Sequence, residues 1–166
     1  FSESATTTIS NSTFRNNVAT AGGGAVGVNG GSATINNSTF SNNYVDLYNC
    51  SYAGGGGAVW SETSNLVSIN GCVFENNVLK DDNIKPTTKD SYPNPAWGGG
   101  AIEVSQCTKI IISNCSFTKN SAKTKEFGGG AICNYASEVE INNCRIFGNT
   151  SNRYGGGIYL TDQNVG

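Results

Sequence analysis

Four glutamates, Glu62, Glu103, Glu138 and Glu140, are the residues of this chain best placed for acid–base chemistry. Two carboxylates roughly 5–10 Å apart across a groove can cleave a glycosidic bond. Glu138 and Glu140 are two positions apart, so on a strand they share one face and do not by themselves make a groove pair. No Arg stands beside the four at equivalent positions, the chain has no His, and no Ser or Cys has a base to activate it. These types and spacings argue against catalysis, and nothing in them implies a cofactor.

The other concentration of chemistry is the segment 79–97. It holds Lys80, Asp81, Asp82, Lys85, Lys89, Asp90, all three prolines, Tyr92 and Trp97. A segment of this composition reads as a loop, and loops on a rigid scaffold are where binding groups are placed. Asp81, Asp82 and Asp90 could hold a weakly bound Ca²⁺, because loop carboxylates suit a hard cation; a solvated polar loop is the plainer reading. Tyr92 and Trp97 could stack on a sugar ring or pin the loop to the body. Trp97, which abuts a glycine run, fits pinning better. No cysteine spacing matches a zinc site, and without His no metal centre is expected.

Whatever positions these residues is repetitive. A Phe-x-x-Asn box runs from Phe14 to Asn17, Phe40 to Asn43, Phe74 to Asn77 and Phe117 to Asn120, with Ile146 to Asn149 as a fifth copy. Each box is followed by a glycine box: Gly22-Gly23-Gly24-Ala25-Val26, Gly55-Gly56-Gly57-Ala58-Val59, Gly98-Gly99-Gly100-Ala101-Ile102, Gly128-Gly129-Gly130-Ala131-Ile132 and Gly155-Gly156-Gly157-Ile158-Tyr159. Successive Phe-slot residues lie 26, 34, 43 and 29 positions apart. A unit in the high twenties with variable insertions is the mark of a solenoid. Composition agrees: 22 Gly, 13% charged residues and 37% hydrophobic residues suit a thin core repeated along an axis. A net charge of −2 offers nothing to nucleic acid or to an anionic membrane.

Apolar residues at i and i+2 place a strand before each Phe box (Thr7/Ile9, Ala33/Ile35, Val67/Ile69, Ile110/Ile112, Val139/Ile141). A second strand follows each glycine box, as in Val26/Val28 and Ile102/Val104, and a third, shorter one carries the Phe. No helical stripe is present. Three short strands per repeat predict an all-β fold, a parallel β-helix of about five coils with loop insertions at 44–54 and 79–97. Equivalent residues then lie roughly 4.8 Å apart. Phe14, Phe40, Phe74 and Phe117 should stack as an aromatic column closed by Ile146. Asn17, Asn43, Asn77, Asn120 and Asn149 should form an amide ladder at a left-handed turn. Asn11, Asn37, Gly71, Asn114 and Asn143 should form a second polar column. The glycine runs should supply positive φ and close backbone approach.

The cysteines follow the same columns. Cys72, Cys115 and Cys144 share the slot of Ser12 and Ser38. They read as a column of buried thiols, or as one disulfide, Cys72–Cys115 or Cys115–Cys144. Cys107 and Cys133, in successive repeats, are the strongest candidates for a bridge, and Cys50 lies elsewhere. Sequons occur at Asn11, Asn36, Asn37, Asn49, Asn114 and Asn149. If the second polar column faces its neighbours, Asn11, Asn37 and Asn114 are poorly available to a glycan, as is the ladder residue Asn149. Asn49 and the outward-alternating Asn36 are then the better glycosylation candidates.

The alternating Phe-x-x-Asn and Gly-Gly-Ala-Val/Ile boxes resemble the repeats of the chlamydial polymorphic outer membrane proteins and related surface proteins, over nearly the whole chain. The resemblance implies a right-handed parallel β-helix, the architecture also of pectate-lyase-like enzymes and autotransporter passenger domains. It further implies a secreted or cell-surface protein with a stalk or adhesin role. Partners would be further coils of the same solenoid, copies of itself, surface glycans or host and cell-surface receptors, and not nucleic acid. No signal peptide, membrane span or β-barrel anchor is visible in the sequence. The pattern begins and ends inside a repeat, so 1–166 reads as a single β-helix domain that is a fragment of a longer solenoid or a stacking, filament-forming subunit. A carbohydrate-binding or polysaccharide-processing β-helix is the alternative.

Overall fold

The structure is a computed structural model and describes residues 2–3, 5–47, 54–81, 97–124 and 127–162. Among these there are only short strands and turns, and every strand pairing is parallel. The strands form five sheets that run along one axis, each containing one strand from successive coils. In chain order around a coil, sheet I holds Thr6–Ser10, Ser32–Asn36, Leu66–Asn70, Lys109–Ser113 and Glu138–Asn142. Sheet II holds the Phe strands, from Thr13–Arg15 to Arg145–Phe147. Sheet III runs from Val18–Ala19 to Thr150–Ser151, and sheet IV comprises Gly22–Gly23, Gly54–Gly56, Trp97–Gly99 and Phe127–Gly129. Sheet V holds Ser2–Glu3, Val26–Asn29, Val59–Glu62, Ile102–Ser105, Ile132–Tyr135 and Ile158–Thr161.

Five strands per coil replace the expected three. Sheets III and IV escape period-two reasoning because their strands are two or three residues long and present only one inward side chain or none. Tyr44–Asp46 and Val78–Lys80 therefore belong to the coils, each burying its middle residue, Val45 or Leu79. Trp97 begins a strand. The two insertions are thus narrower than 44–54 and 79–97.

Register converts the repeat into columns. Ile9, Ile35, Ile69, Ile112 and Ile141 are successive Cα partners, and so are Phe14, Phe40, Phe74, Phe117 and Ile146. The four Phe rings stack with centroids 4.9, 4.8 and 4.8 Å apart and planes within 5° of parallel. That spacing is imposed by the strand ladder, and burial of each inner ring contributes roughly 1.5–3 kcal/mol. The main core packs these columns against Val28, Val59, Ile102, Val104 and Ile132 of sheet V. Val45, Leu47 and Leu79 form a smaller cluster under sheet III.

At the corner after the Phe strands, the two roles assigned to one asparagine are divided between neighbours. The left-handed residues are Asn16, Asn42, Asn76, Lys119 and Gly148, with φ between 54° and 65°. Asn17, Asn43, Asn77, Asn120 and Asn149 stand one residue later and turn their amides inward. Each Nδ2 donates to the next Oδ1, at 2.8, 2.9, 2.9 and 2.9 Å. Each next Nδ2 donates back to the carbonyl of a Phe in the preceding coil, at 2.9–3.1 Å. The backbone N–H of each Asn also donates to the next Oδ1. Buried amides with this much satisfaction are stable in a dry interior.

The second polar column is corrected as well. Asn11, Asn37, Gly71, Asn114 and Asn143 are left-handed corner residues, with φ of 47–65°, and the four asparagines are exposed. The glycine runs do both at different places: the first glycine has positive φ in three runs (Gly22, Gly98 and Gly155), and the later ones act through close approach. The middle and last glycine of each run have no positive φ, yet a Cβ on Gly57 would meet Val78 N at 2.7 Å, and one on Gly99 would meet Ala131 O at 2.9 Å. In the fifth run Gly157, not Ile158, fills the alanine slot. Ala131 N–H donates to Gly157 O as Ala101 N–H does to Ala131 O, and Ile158 pairs with Ile132.

Candidate functional site

Sheet V alternates, so the residues between its core positions point away from the core. Gly27, Trp60, Glu103, Cys133 and Tyr159 form one such outward column. Asn29, Glu62, Ser105, Tyr135 and Thr161 form the next. An outward column of a solenoid is normally solvated, but here Trp60, Glu103, Ser105, Cys133 and Tyr135 are buried. Glu103 is only 3% exposed, and its Oε2 has no hydrogen-bond partner.

Burial, and then the like charge of Glu62, push the Glu103 carboxyl well above the usual carboxylate range. Burial, and then Glu103, also raise the Cys133 thiol. A carboxyl whose folded pKa is raised holds its proton more tightly folded than unfolded. Its contribution is fully present below the unfolded pKa and is lost as pH rises through the folded pKa. Wild-type stability should therefore fall relative to Glu103→Gln above about pH 4, by up to about 1.4 kcal/mol per pH unit. Denaturation curves taken from pH 4 to 8 test this; parallel curves for the two proteins would refute it.

Beside this column lies a continuous set of rings. Trp97, the first residue of its sheet IV strand, packs edge-on against Tyr135 with centroids 4.2 Å apart, and tilted against Phe127 at 5.7 Å. Phe127 stacks on Tyr154 at 5.7 Å and on Tyr159 at 6.1 Å, and the two tyrosines stack at 5.2 Å. Trp97, Phe127 and Tyr159 are half-buried, whereas Tyr154 is 47% exposed. Trp97 thus packs against the next coil, while the loop it was expected to pin lies outside the described residues. Tyr92, Asp82, Asp90, Asn49 and Cys50 lie outside the described residues. Asp81 is buried at the end of a sheet III strand. Among the described residues no group of three His, Cys, Asp or Glu could hold a metal ion.

The remaining candidates take structural places. Glu138 and Glu140 both ion-pair with Lys109 of the preceding coil, at 3.2 and 2.6 Å, on the outer face of sheet I. Cys72, Cys115 and Cys144 continue the Ser12–Ser38 column as free thiols. Each member donates to the carbonyl two residues back, and Ser38 N–H and Cys72 N–H donate to the sulfurs of Cys72 and Cys115. The contact between their thiols pulls Cys72 down and, with burial, pushes Cys115 up.

Cys107 and Cys133 are not bridged, because they occupy different columns. Cys107 sits in a corner slot with Ser64 and Ser137, its N–H donating to Ser137 Oγ at 2.9 Å, while Cys133 is paired with Glu103 and Tyr159. The order expected for the sequons reverses in part. Asn11, Asn37 and Asn114 are exposed at corners, and Asn36 is half-buried. Asn149 commits its Nδ2 to Phe117 O.

The aromatic set escaped the sequence except for Trp97. Trp97 and Phe127 share the slot before the glycine box, but Tyr135, Tyr154 and Tyr159 stand at unlike positions, so no repeat marks the whole set. The available signal was the replacement of Ala21 and Gly54 by Trp97 and Phe127 in one sheet IV column, read only once the register is known.

No curated protein and no solved structure matches the chain. A family model described as the right handed beta helix region matches residues 1–165. With parallel strands in five stacked sheets and a ladder of equivalent residues through every coil, this chain belongs to the right-handed β-helix family.

Proposed function

We propose that this chain is an extracellular structural and adhesive β-solenoid, a stalk whose ends take further coils and whose outer side meets a ligand. The observation that carries the reading is the uninterrupted column of inter-coil bonds. Amide, ring and backbone ladders all run along one axis, so extension along that axis must break many bonds together. The likeness of the repeats to chlamydial polymorphic outer membrane protein repeats supports placement at a cell surface. At the last described coil the core positions Val139, Ile141, Ile146 and Ile158 are only partly buried, and Leu160 is exposed. Such a face takes another coil, from further chain or from a second copy. Polysaccharide cleavage is the weaker reading, since Glu103 is buried with its carboxyl pushed well above the usual range and Glu138 and Glu140 are both engaged by Lys109.

Electron microscopy tests the stacking role. Five coils make an object roughly 25 Å long, so the protein should form rods whose lengths are multiples of that unit. A population made only of single short particles at high concentration would refute stacking between copies.

A further inference from the structure

The corner between sheets I and II holds one small polar side chain per coil: Ser12, Ser38, Cys72, Cys115 and Cys144. Serine is sufficient there. Ser12 Oγ and Ser38 Oγ each donate to the carbonyl two residues back at 2.8 Å, and the three thiols make the same bond at 3.4, 3.0 and 3.3 Å. The corner does not call for sulfur, yet sulfur fills it in three consecutive coils. We propose that Cys72, Cys115 and Cys144 are a disulfide relay, in which a bridge made at Cys144 is passed along the solenoid axis to Cys72 and Cys115. The relay is independent of the adhesive and stacking roles.

Reach is the first support. Neighbouring coils bring equivalent Cα atoms to roughly 4.8 Å, inside the range of about 4.4–6.8 Å that a disulfide spans. The corner is tied at both steps, since Ser116 N–H donates to Cys72 O and Arg145 N–H to Cys115 O, each at 2.9 Å. Each sulfur leans toward the coil before it. Cys115 Sγ lies 3.7 Å from Ile69 O and 3.4 Å from Cys72 N, and Cys144 Sγ lies 3.7 Å from Ile112 O.

Alignment is the second. In thiol–disulfide exchange the attacking sulfur enters opposite the sulfur that leaves. The contacts of the three thiols repeat from coil to coil, so their sulfurs are related by translation and stand in one line along the axis. Cys115 is the middle of that line. A sulfur arriving from Cys72 expels one on the Cys144 side.

Exposure sets the direction. Cys72 and Cys115 are 1% and 3% exposed, whereas Cys144 is half-buried in the last described coil. A further coil on that face would close the entrance. The oxidant is a small-molecule disulfide. Cys144 Sγ attacks it, forming a mixed disulfide and releasing one small thiol. Cys115 Sγ then attacks Cys144 Sγ and releases the second. Cys72 Sγ attacks Cys115 Sγ and frees Cys144. In each step the attacking sulfur gives up a proton and the departing sulfur takes one. The chain loses two electrons and two protons, and the small disulfide becomes two thiols. Contact with the Cys115 thiol pulls the Cys72 thiol down, so Cys72 is the first of the pair to ionise and suits the final attack.

The test adds oxidised glutathione to the reduced, folded protein near neutral pH and blocks samples with N-ethylmaleimide over time. Trypsin with a glutamate-specific protease puts each of the six cysteines in its own peptide, which mass spectrometry then reads. A glutathione adduct on Cys144 should come first, then the Cys115–Cys144 link, then Cys72–Cys115 with Cys144 free. Cys144→Ser should slow the Cys72–Cys115 link by about tenfold or more, because both remaining thiols are buried. Cys115→Ser should stop at the Cys144 adduct. Serine already serves this corner in the first two coils, so both variants should fold, which circular dichroism checks.

Three unlinked thiols in the folded protein would overturn the relay. So would links made only through Cys50, Cys107 or Cys133. A Cys72–Cys115 link that forms as fast in Cys144→Ser as in the wild type would also overturn it, since the bridge would then not arrive through Cys144.

Discussion

Gly100→Ala should be among the most damaging single methyl groups that can be added to this chain, with a loss of more than about 4 kcal/mol or no cooperative unfolding at all. Gly100 has no positive φ, so the cost does not come from backbone conformation. It comes from space. The new Cβ would press against the Gly130 carbonyl oxygen and the Ser121 backbone nitrogen, and would lie 2.7 Å from the Ser121 carbonyl carbon. All three are backbone atoms of the next coil, and none can rotate aside. Relief requires the two coils to part, which breaks the pairing of Trp97–Gly99 with Phe127–Gly129.

The control is the equivalent glycine of the last coil. A Cβ on Gly156 would meet only Asn149 O, at 3.6 Å, an ordinary contact. Gly156→Ala should therefore change stability by no more than about 1 kcal/mol. Chemical denaturation of the two variants measures the difference directly. Equal losses would mean that the glycine runs are needed for their flexibility, and the close-approach argument would fail.

Asn77→Ala should be nearly as severe, at about 3–5 kcal/mol. The substitution deprives four groups at once. Asn43 loses the acceptor of its N–H at 3.0 Å and of its Nδ2–H at 2.9 Å, and Phe40 O and Asn120 Oδ1 each lose a donor at 2.9 Å. All lie in an interior where no water replaces them; Asn43, Asn77 and Asn120 are wholly buried. Leaving buried donors and acceptors unmade costs more than the bonds are worth in net stability.

Asn77→Asp separates this from simple loss of packing. It keeps the size and the oxygen that accepts from Asn43. It places a second oxygen against Phe40 O and Asn120 Oδ1, where a donor is needed. At neutral pH it should be at least as destabilising as Asn77→Ala. A near-neutral Asn77→Asp, read from thermal melts, would show that the ladder contributes shape rather than hydrogen bonds.

The Phe and Asn columns could be read from spacing because a solenoid is translation along an axis. Any residue type that recurs at the same point of the repeat is placed on its own copy, one strand spacing away. Insertions do not spoil the match, which is why spacings of 26, 34, 43 and 29 residues all deliver equivalent contacts. The same logic located the Cys72–Cys115–Cys144 column. It failed for Cys107, whose copies in the neighbouring coils are Ser64 and Ser137, so a shared cysteine type was taken for a shared column. It also failed by one residue at the Phe corner, where Asn16 and Asn17 are chemically alike and only backbone geometry decides which turns left-handed and which points inward.

By itself, then, the sequence determined the repeat, the β-helix and the identity of its ladders, because periodic side chains carry that information in one dimension. Only the tertiary structure decided the number of strands per coil, which corner residues turn left-handed, and the outer side of sheet V. Glu103 and Cys133 share one repeat position and Trp97 and Phe127 another, but a glutamate and a cysteine have no chemistry in common that would mark their slot, and Tyr135 and Tyr154 stand elsewhere. Their meeting depends on which coil lies above which and on how each outward residue leans. Those relations are set by register and by burial in three dimensions, where a carboxyl loses its water and its usual pKa.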